Sequence, residues 1–167
     1  VRSFPEEAAV TAVFDIKSEA LEDAKNEGFK AFDKLEDFLA EPLDLVVVST
    51  PNNFHARYSI ACMKAGKNVL CEKPVTMSAD ELKQVIAVSD ETGKIFTVHQ
   101  NRRFDVDYLE VVKAVRSGEI GKITTSESKV LGERGVCFGW RADPVAGGGM
   151  LYDWGVHLVD QMLMLYP

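Results

Sequence analysis

Asn68-Val69-Leu70-Cys71-Glu72-Lys73-Pro74 decides how the chain is read. The short apolar run has the pattern of a buried parallel strand, and Glu72-Lys73-Pro74 then marks its carboxyl end. In open α/β sheets that edge is where ligands bind. Pro74 disfavours helical geometry at Lys73, which aims the ammonium along the strand and out over the crevice. A charge placed there needs a partner or a ligand, although a plain surface turn is the alternative for the tripeptide alone.

Upstream, Leu43 to Val48 carries three consecutive valines, as suits a strand covered on both faces, and ends in Ser49-Thr50-Pro51-Asn52. Val10 to Phe14 reads as a strand ending at Asp15. Ser18 can cap a helix to about Glu27, with Gly28 at its left-handed stop. Phe29 to Phe32 is a short strand, and Asp33 with Glu36 suggests an Asp-led capping box before Leu35, Phe38 and Leu39. A helix spans Phe54 to Lys64. Downstream, Ser78-Ala79-Asp80-Glu81 is a capping box for a helix closed by Gly93, and Ile95 to Val98 is another strand. This βαβαβ rhythm with short connections predicts an α/β fold, a doubly wound parallel sheet.

Past His99 the character changes. Leu109, Val112 and Val115 mark a helix ended by Gly118, and Lys122 to Leu131 reads as a half-exposed strand. We therefore assign residues 1–100 to a first domain and 101–167 to the beginning of an α+β substrate domain. Gly132 to Gly149 reads as a loop over a site, and Gly147-Gly148-Gly149 lets backbone approach closely. Met150 to Leu163 reads as a largely buried helix with one polar stripe, in which Asp153, His157 and Asp160 or Gln161 share a face with Cβ atoms about 5 to 6 Å apart. An imidazole steadied by a carboxylate one turn away suits a general base. A satisfied core histidine is the plain alternative. A metal site at Asp153 and His157 would need a further ligand, and none has convincing spacing, so no metal is expected.

The 167 residues, 46% hydrophobic, suffice for one good-sized core or for one domain plus part of another. A net charge of -7 without a basic cluster argues against nucleic acid or an anionic membrane as partner. Cys62, Cys71 and Cys137 show no metal or disulfide spacing, which suits reduced thiols and a cytoplasmic location. No apolar run is near bilayer-spanning length. Asp15, at a strand's carboxyl end, sits where a ribose diol is bound in nucleotide-binding sheets; an acid there favours NAD over NADP, since it would repel a 2'-phosphate. No glycine-rich phosphate loop precedes Asp15, and only 14 residues do, so the expectation is a chain cut after that loop, the alternative being one that does not bind a dinucleotide in the usual way.

Together these segments resemble the family of glucose-fructose oxidoreductase, inositol 2-dehydrogenase and the rhizopine-catabolism proteins. The resemblance is carried by the strand ending at Asp15, Ser49-Thr50-Pro51-Asn52-Asn53-Phe54-His55, Cys71-Glu72-Lys73-Pro74, Asn101-Arg102-Arg103-Phe104, Gly118-Glu119-Ile120-Gly121, Trp140-Arg141, and Gly147-Gly148-Gly149 leading to Asp153 and His157. It implies a Rossmann-like NAD(P)-dependent oxidoreductase whose second domain often mediates homo-oligomer formation. The family's catalytic Lys, Asp and His map onto Lys73, Asp153 and His157. Its cofactor contacts fall at Asp15, Thr50, Asn52, His55, Glu72, Lys73, Asn101, Trp140 and Arg141. The implied reaction is hydride transfer between a secondary alcohol of a sugar or cyclic polyol and the nicotinamide. An NAD-dependent redox glycosidase would need the same proton-transfer groups. A non-catalytic sugar-sensing regulator of this family is the alternative from outside enzymology.

Overall fold

Val69 and Cys71 are fully buried while Asn68 and Leu70 are not, the two-residue alternation of a strand. In the computed structural model this strand, β4 (Asn68–Cys71), is the centre of a three-stranded parallel sheet with β3 (Leu45–Val48) and β5 (Phe96–Val98) on either side. Residues 8–131 and 138–166 are described, and the chain divides into two units, residues 1–44 and 45–167.

In the first unit β1 (Ala12–Phe14) pairs in parallel with β2 (Lys30–Phe32) through the crossover helix α1 (Ser18–Asn26), and α2 (Leu35–Leu39) follows. Phe38 of α2 is buried, its ring centroid 6.1 Å from that of Phe14 and 6.2 Å from that of Phe32. The chain turns out of α1 through Gly28 at φ +87. The helix starts differ from expectation. Lys17, not Ser18, occupies the cap position of α1, and its N–H donates to Asp15 Oδ1 at 2.8 Å. Lys34 occupies that of α2 without a side-chain bond, so the Asp33/Glu36 box does not form: the helix begins one residue too late for Asp33 to reach its first N–H groups.

In the second unit α3 (His55–Lys64) and α4 (Ala79–Thr92) pack together, placing Ser59, Cys62, Met63 and Val85 in a core with Val69 and Cys71. Burial pushes the thiols of Cys62 and Cys71 up to about 11, as inert packing groups should be. The Ser78 box forms: Ser78 Oγ accepts from the Glu81 N–H at 3.2 Å, and Glu81 Oε2 accepts from the N–H of Met77, one residue further back than the usual partner, at 2.8 Å. The sheet is covered less than expected, since Leu45 and Val47 on β3 remain half-exposed and only Val46 and Val48 are buried. The α/β architecture is thus two parallel sheets, of two and three strands, with no continuous ladder between them among the described residues.

Beyond β5 a 3-10 turn, Asn101–Phe104, leads into α5 (Val106–Ser117), which Gly118 ends at φ +75. The strand expected over residues 122–131 is absent: among the described residues nothing pairs with this largely exposed segment, and a strand without a ladder has no reason to be regular. Of the loop expected over 132–149, residues 132–137 lie outside the described residues, and the remainder contains a 3-10 turn at Gly139–Ala142. The helix expected from Met150 to Leu163 begins instead as a π-helical turn, Leu151–Gly155, before α6 (Val156–Leu165). It is not largely buried, for Leu151 is 73% and Leu163 65% exposed. No helix among the described residues is long and apolar enough to cross a membrane.

Candidate active site

The carboxyl ends of β3 and β4 and the glycine-rich approach to α6 border an open cleft of about 230 Å³ within the second unit. Thr50, Asn52, His55, Glu72, Lys73, Trp140, Arg141 and Asp153 all contribute to its wall. Each element delivers its group for a local reason. Parallel strands end together in adjacent register, Val48 opposite Cys71, so the turns that follow them face one another. His55, 1% exposed, joins those turns: its Nδ1 lies 2.7 Å from the Pro74 carbonyl oxygen and its Nε2 2.9 Å from that of Thr50. The Lys73–Pro74 peptide is cis.

Lys73 reaches from the β4 turn to the π-helical turn, where its ammonium donates to the Asp153 carbonyl oxygen at 2.7 Å and to Oδ1 at 3.0 Å. The pair is mostly shielded, with the lysine side chain 17% and the aspartate 23% exposed, while Arg141 Nε lies 3.7 Å from the same carboxylate oxygen. The cleft floor therefore holds two cations and one shared carboxylate. Glu72 stands beside them and accepts from His99 Nδ1 at 2.8 Å.

His157 is 5% exposed, on the first turn of α6, and is not among the residues that line the cleft with Lys73 and Asp153. Its pKa is lowered from 6.5, chiefly by burial and then by the charges of Lys73 and Arg102, against the opposing pull of Asp153 and Asp105. Asp153 does not clasp the ring as its spacing suggested: Nδ1 of His157 is buried without a hydrogen-bond partner, and the carboxylate turns to Lys73. The cause is the π turn, in which the Val156 N–H bonds Leu151 O five residues back and positions four apart no longer stack.

Asp15 is at the end of β1 in the other unit, with one carboxylate oxygen taken by Lys17 N–H. Asn101 is exposed at the start of its 3-10 turn and does not line the cleft. The glycines matter more than composition could indicate. Asn52 Nδ2 donates to the Gly147 carbonyl at 2.8 Å, and a Cβ on Gly148 would sit 2.4 Å from the backbone oxygen of Arg141. Gly148→Ala should therefore push back the Trp140–Arg141 wall and destabilise by about 1–3 kcal/mol; a lowered urea midpoint checks this. Sequence reading also missed Arg102, whose guanidinium carbon lies 4.3 Å from the centre of the Trp154 ring, and His99 as the partner of Glu72. Neither carries a spacing signal, because both contacts join separate elements.

Among the described residues no group of three or more His, Cys, Asp or Glu side chains is placed to hold a metal ion. Residues 1–100 match the family model described as oxidoreductase family, NAD-binding Rossmann fold, and residues 108–167 match the Gfo/Idh/MocA C-terminal domain. The chain belongs to the Gfo/Idh/MocA oxidoreductase family. Among its relatives, the scyllo-inositol 2-dehydrogenase (NADP(+)) of Bacillus subtilis is 36% identical over 135 residues, 80% of this chain and 38% of that protein. The NAD-binding protein from Listeria innocua superposes with a TM-score of 0.89 at 42% identity, over 93% of this chain and 46% of that one. The WlbA dehydrogenase from Bordetella pertussis in complex with NADH and UDP-GlcNAcA gives 0.68 at 29% identity, over 74% of this chain and 38% of that one. The chain spans less than half the length of each of these relatives.

Proposed function

We propose that the protein oxidises or reduces a secondary alcohol on a sugar or cyclic polyol, with NAD ahead of NADP as cofactor, and works as a cytoplasmic homo-oligomer. The carrying observation is the union of Lys73 with Asp153 beside the buried imidazole of His157. The cofactor fits the donor set: Glu72, Thr50 and Lys73 offer a carboxylate, a hydroxyl and an ammonium along one wall, a pattern suited to ribose hydroxyls and a polar ring substituent. The 2-dehydrogenase relative and the NADH-bound dehydrogenase support the same class.

When bound, the nicotinamide supplies the acceptor for the hydride leaving the alcohol carbon. His157 takes the hydroxyl proton; its lowered pKa keeps the ring neutral and ready to accept it at pH 7. Lys73 lies against the developing alkoxide and favours its negative charge. Asp153 holds the ammonium by two bonds, so that cation needs no reorganisation during the step. Asn52, His55, Trp140 and Arg141 would shape the cofactor wall, and Asp15 and Asn101 would complete its contacts.

The test is to titrate NAD and NADP into the protein and to assay a panel of sugars and inositols with each. Tighter NAD binding with net NADH formation on at least one polyol is expected. Sugar turnover without net NADH would move the assignment to a redox glycosidase, and binding with no turnover on any substrate to a regulator.

A further inference from the structure

Arg102 sits on the 3-10 turn that docks against α6, and that docking is secured without its side chain. Gln161 Nε2 donates to the Arg102 carbonyl at 2.9 Å, Tyr108 Oη donates to the Gln161 carbonyl at 3.0 Å, and Arg103 grips both carboxylate oxygens of Asp160 at 2.8 and 2.6 Å. The Arg102 guanidinium is thus left for another task. It lies over the Trp154 ring at 4.3 Å and donates to Asp105 Oδ2 at 2.8 Å. That indole also meets His157, edge-on, with ring centroids 6.1 Å apart.

We infer that Arg102 is a positioning residue for His157, acting through the Trp154 indole that both side chains touch. The guanidinium over its face holds the indole in one orientation, and the T-shaped contact with the indole fixes the imidazole where its buried Nδ1 has no hydrogen bond to do so. This supplies what Asp153, committed to Lys73, does not. The guanidinium also brings a positive charge near a ring that water screens little.

Four charged groups face that imidazole from the elements around it: Lys73 from the β4 turn, Arg102 and Asp105 from the 3-10 turn and its end, and Asp153 from the π turn. Lys73 and Arg102 lower its pKa, and the two carboxylates raise it. Arg102 and Asp105 form a pair of opposite effect, so removing either one predicts a shift of known sign.

The inference rests on the assignment of His157 as proton acceptor, but its test does not. The three histidines, His55, His99 and His157, are followed by NMR as the protein is titrated without substrate or cofactor, with His157 assigned from the signal lost in His157→Asn. Arg102→Met should raise the His157 midpoint and Asp105→Asn should lower it. Loosened packing around the ring would raise both, because burial is the first cause of the lowering. Opposite shifts together with a weakened nuclear Overhauser contact between the Trp154 indole and the His157 ring in Arg102→Met support the inference; any other pattern overturns it, including opposite shifts with that contact unchanged, which direct charge alone would give, and a His157 signal that fails to titrate in all three proteins. If the opposite shifts and the weakened indole–imidazole contact appear while His157→Asn retains full turnover, the positioning stands and the proton-acceptor assignment falls.

Discussion

Lys73→Met is expected to lower turnover about 10²- to 10³-fold, the usual loss when one preorganised electrostatic group is taken from a reacting oxygen. The expectation follows from how little freedom the ammonium has. It is held between a backbone carbonyl and a carboxylate, at 2.7 and 3.0 Å, on the floor of a cleft where its charge is only partly screened. Methionine keeps the stem and removes the charge. The fold should survive, since Asp153 retains Arg141 nearby and the three-stranded sheet does not depend on the pair. Losing the two charge-assisted bonds of the ammonium should cost at least about 1.5–3 kcal/mol, the usual loss for one such bond, readable as a lower urea midpoint. A near-normal kcat in a folded Lys73→Met protein would remove Lys73 from the reaction.

His157→Asn should cost about 10²- to 10⁴-fold, as expected of a lost general base. The pH profile separates this loss from simple damage. With its pKa lowered from 6.5 by burial and by two cations, His157 stays neutral through pH 7, so the oxidation rate should fall only at acid pH, as the ring takes up a proton. The asparagine variant should lack that acid limb. Stability follows the same sign. The unfolded chain binds a proton near 6.5 and the folded one only at lower pH, so folding is favoured above 6.5 and that contribution is lost as pH falls through the folded value. Denaturant midpoints of the wild-type protein should therefore decline more steeply below pH 6.5 than those of His157→Asn.

Most of what sequence could express here was periodic or punctuated. The run Asn68–Cys71, the Ser78 cap and the glycine stops at 28, 93 and 118 are local signals, and each appears in the structure close to where the residues put it. Failures came where a partner had to be supplied from elsewhere. Lys122 to Leu131 alternates like a strand, but a ladder requires a second strand. Asp33 is a good cap residue beside a helix that starts after Lys34. Asp153 and His157 are four apart, yet a π turn separates them and Lys73, eighty residues away in sequence, takes the carboxylate. Lys73 was legible because a strand end in a parallel sheet delivers its turn to the ligand edge, while Thr50, Asn52, His55, Trp140 and Arg141 followed only from the family resemblance; the orientation of the imidazole was not legible, because it depends on Arg102 and Trp154 meeting across elements.

The two carbonyl contacts of His55 bear on what binding must cost. A single enclosed ring ties the chain leaving one strand to the chain leaving its neighbour, at Thr50 and Pro74, so the width between those banks is fixed before any molecule arrives. An incoming ligand meets a frame already set and need not spend affinity on assembling it. Slackening that tie would tax recognition at both banks at once, beyond whatever contact the ring itself makes.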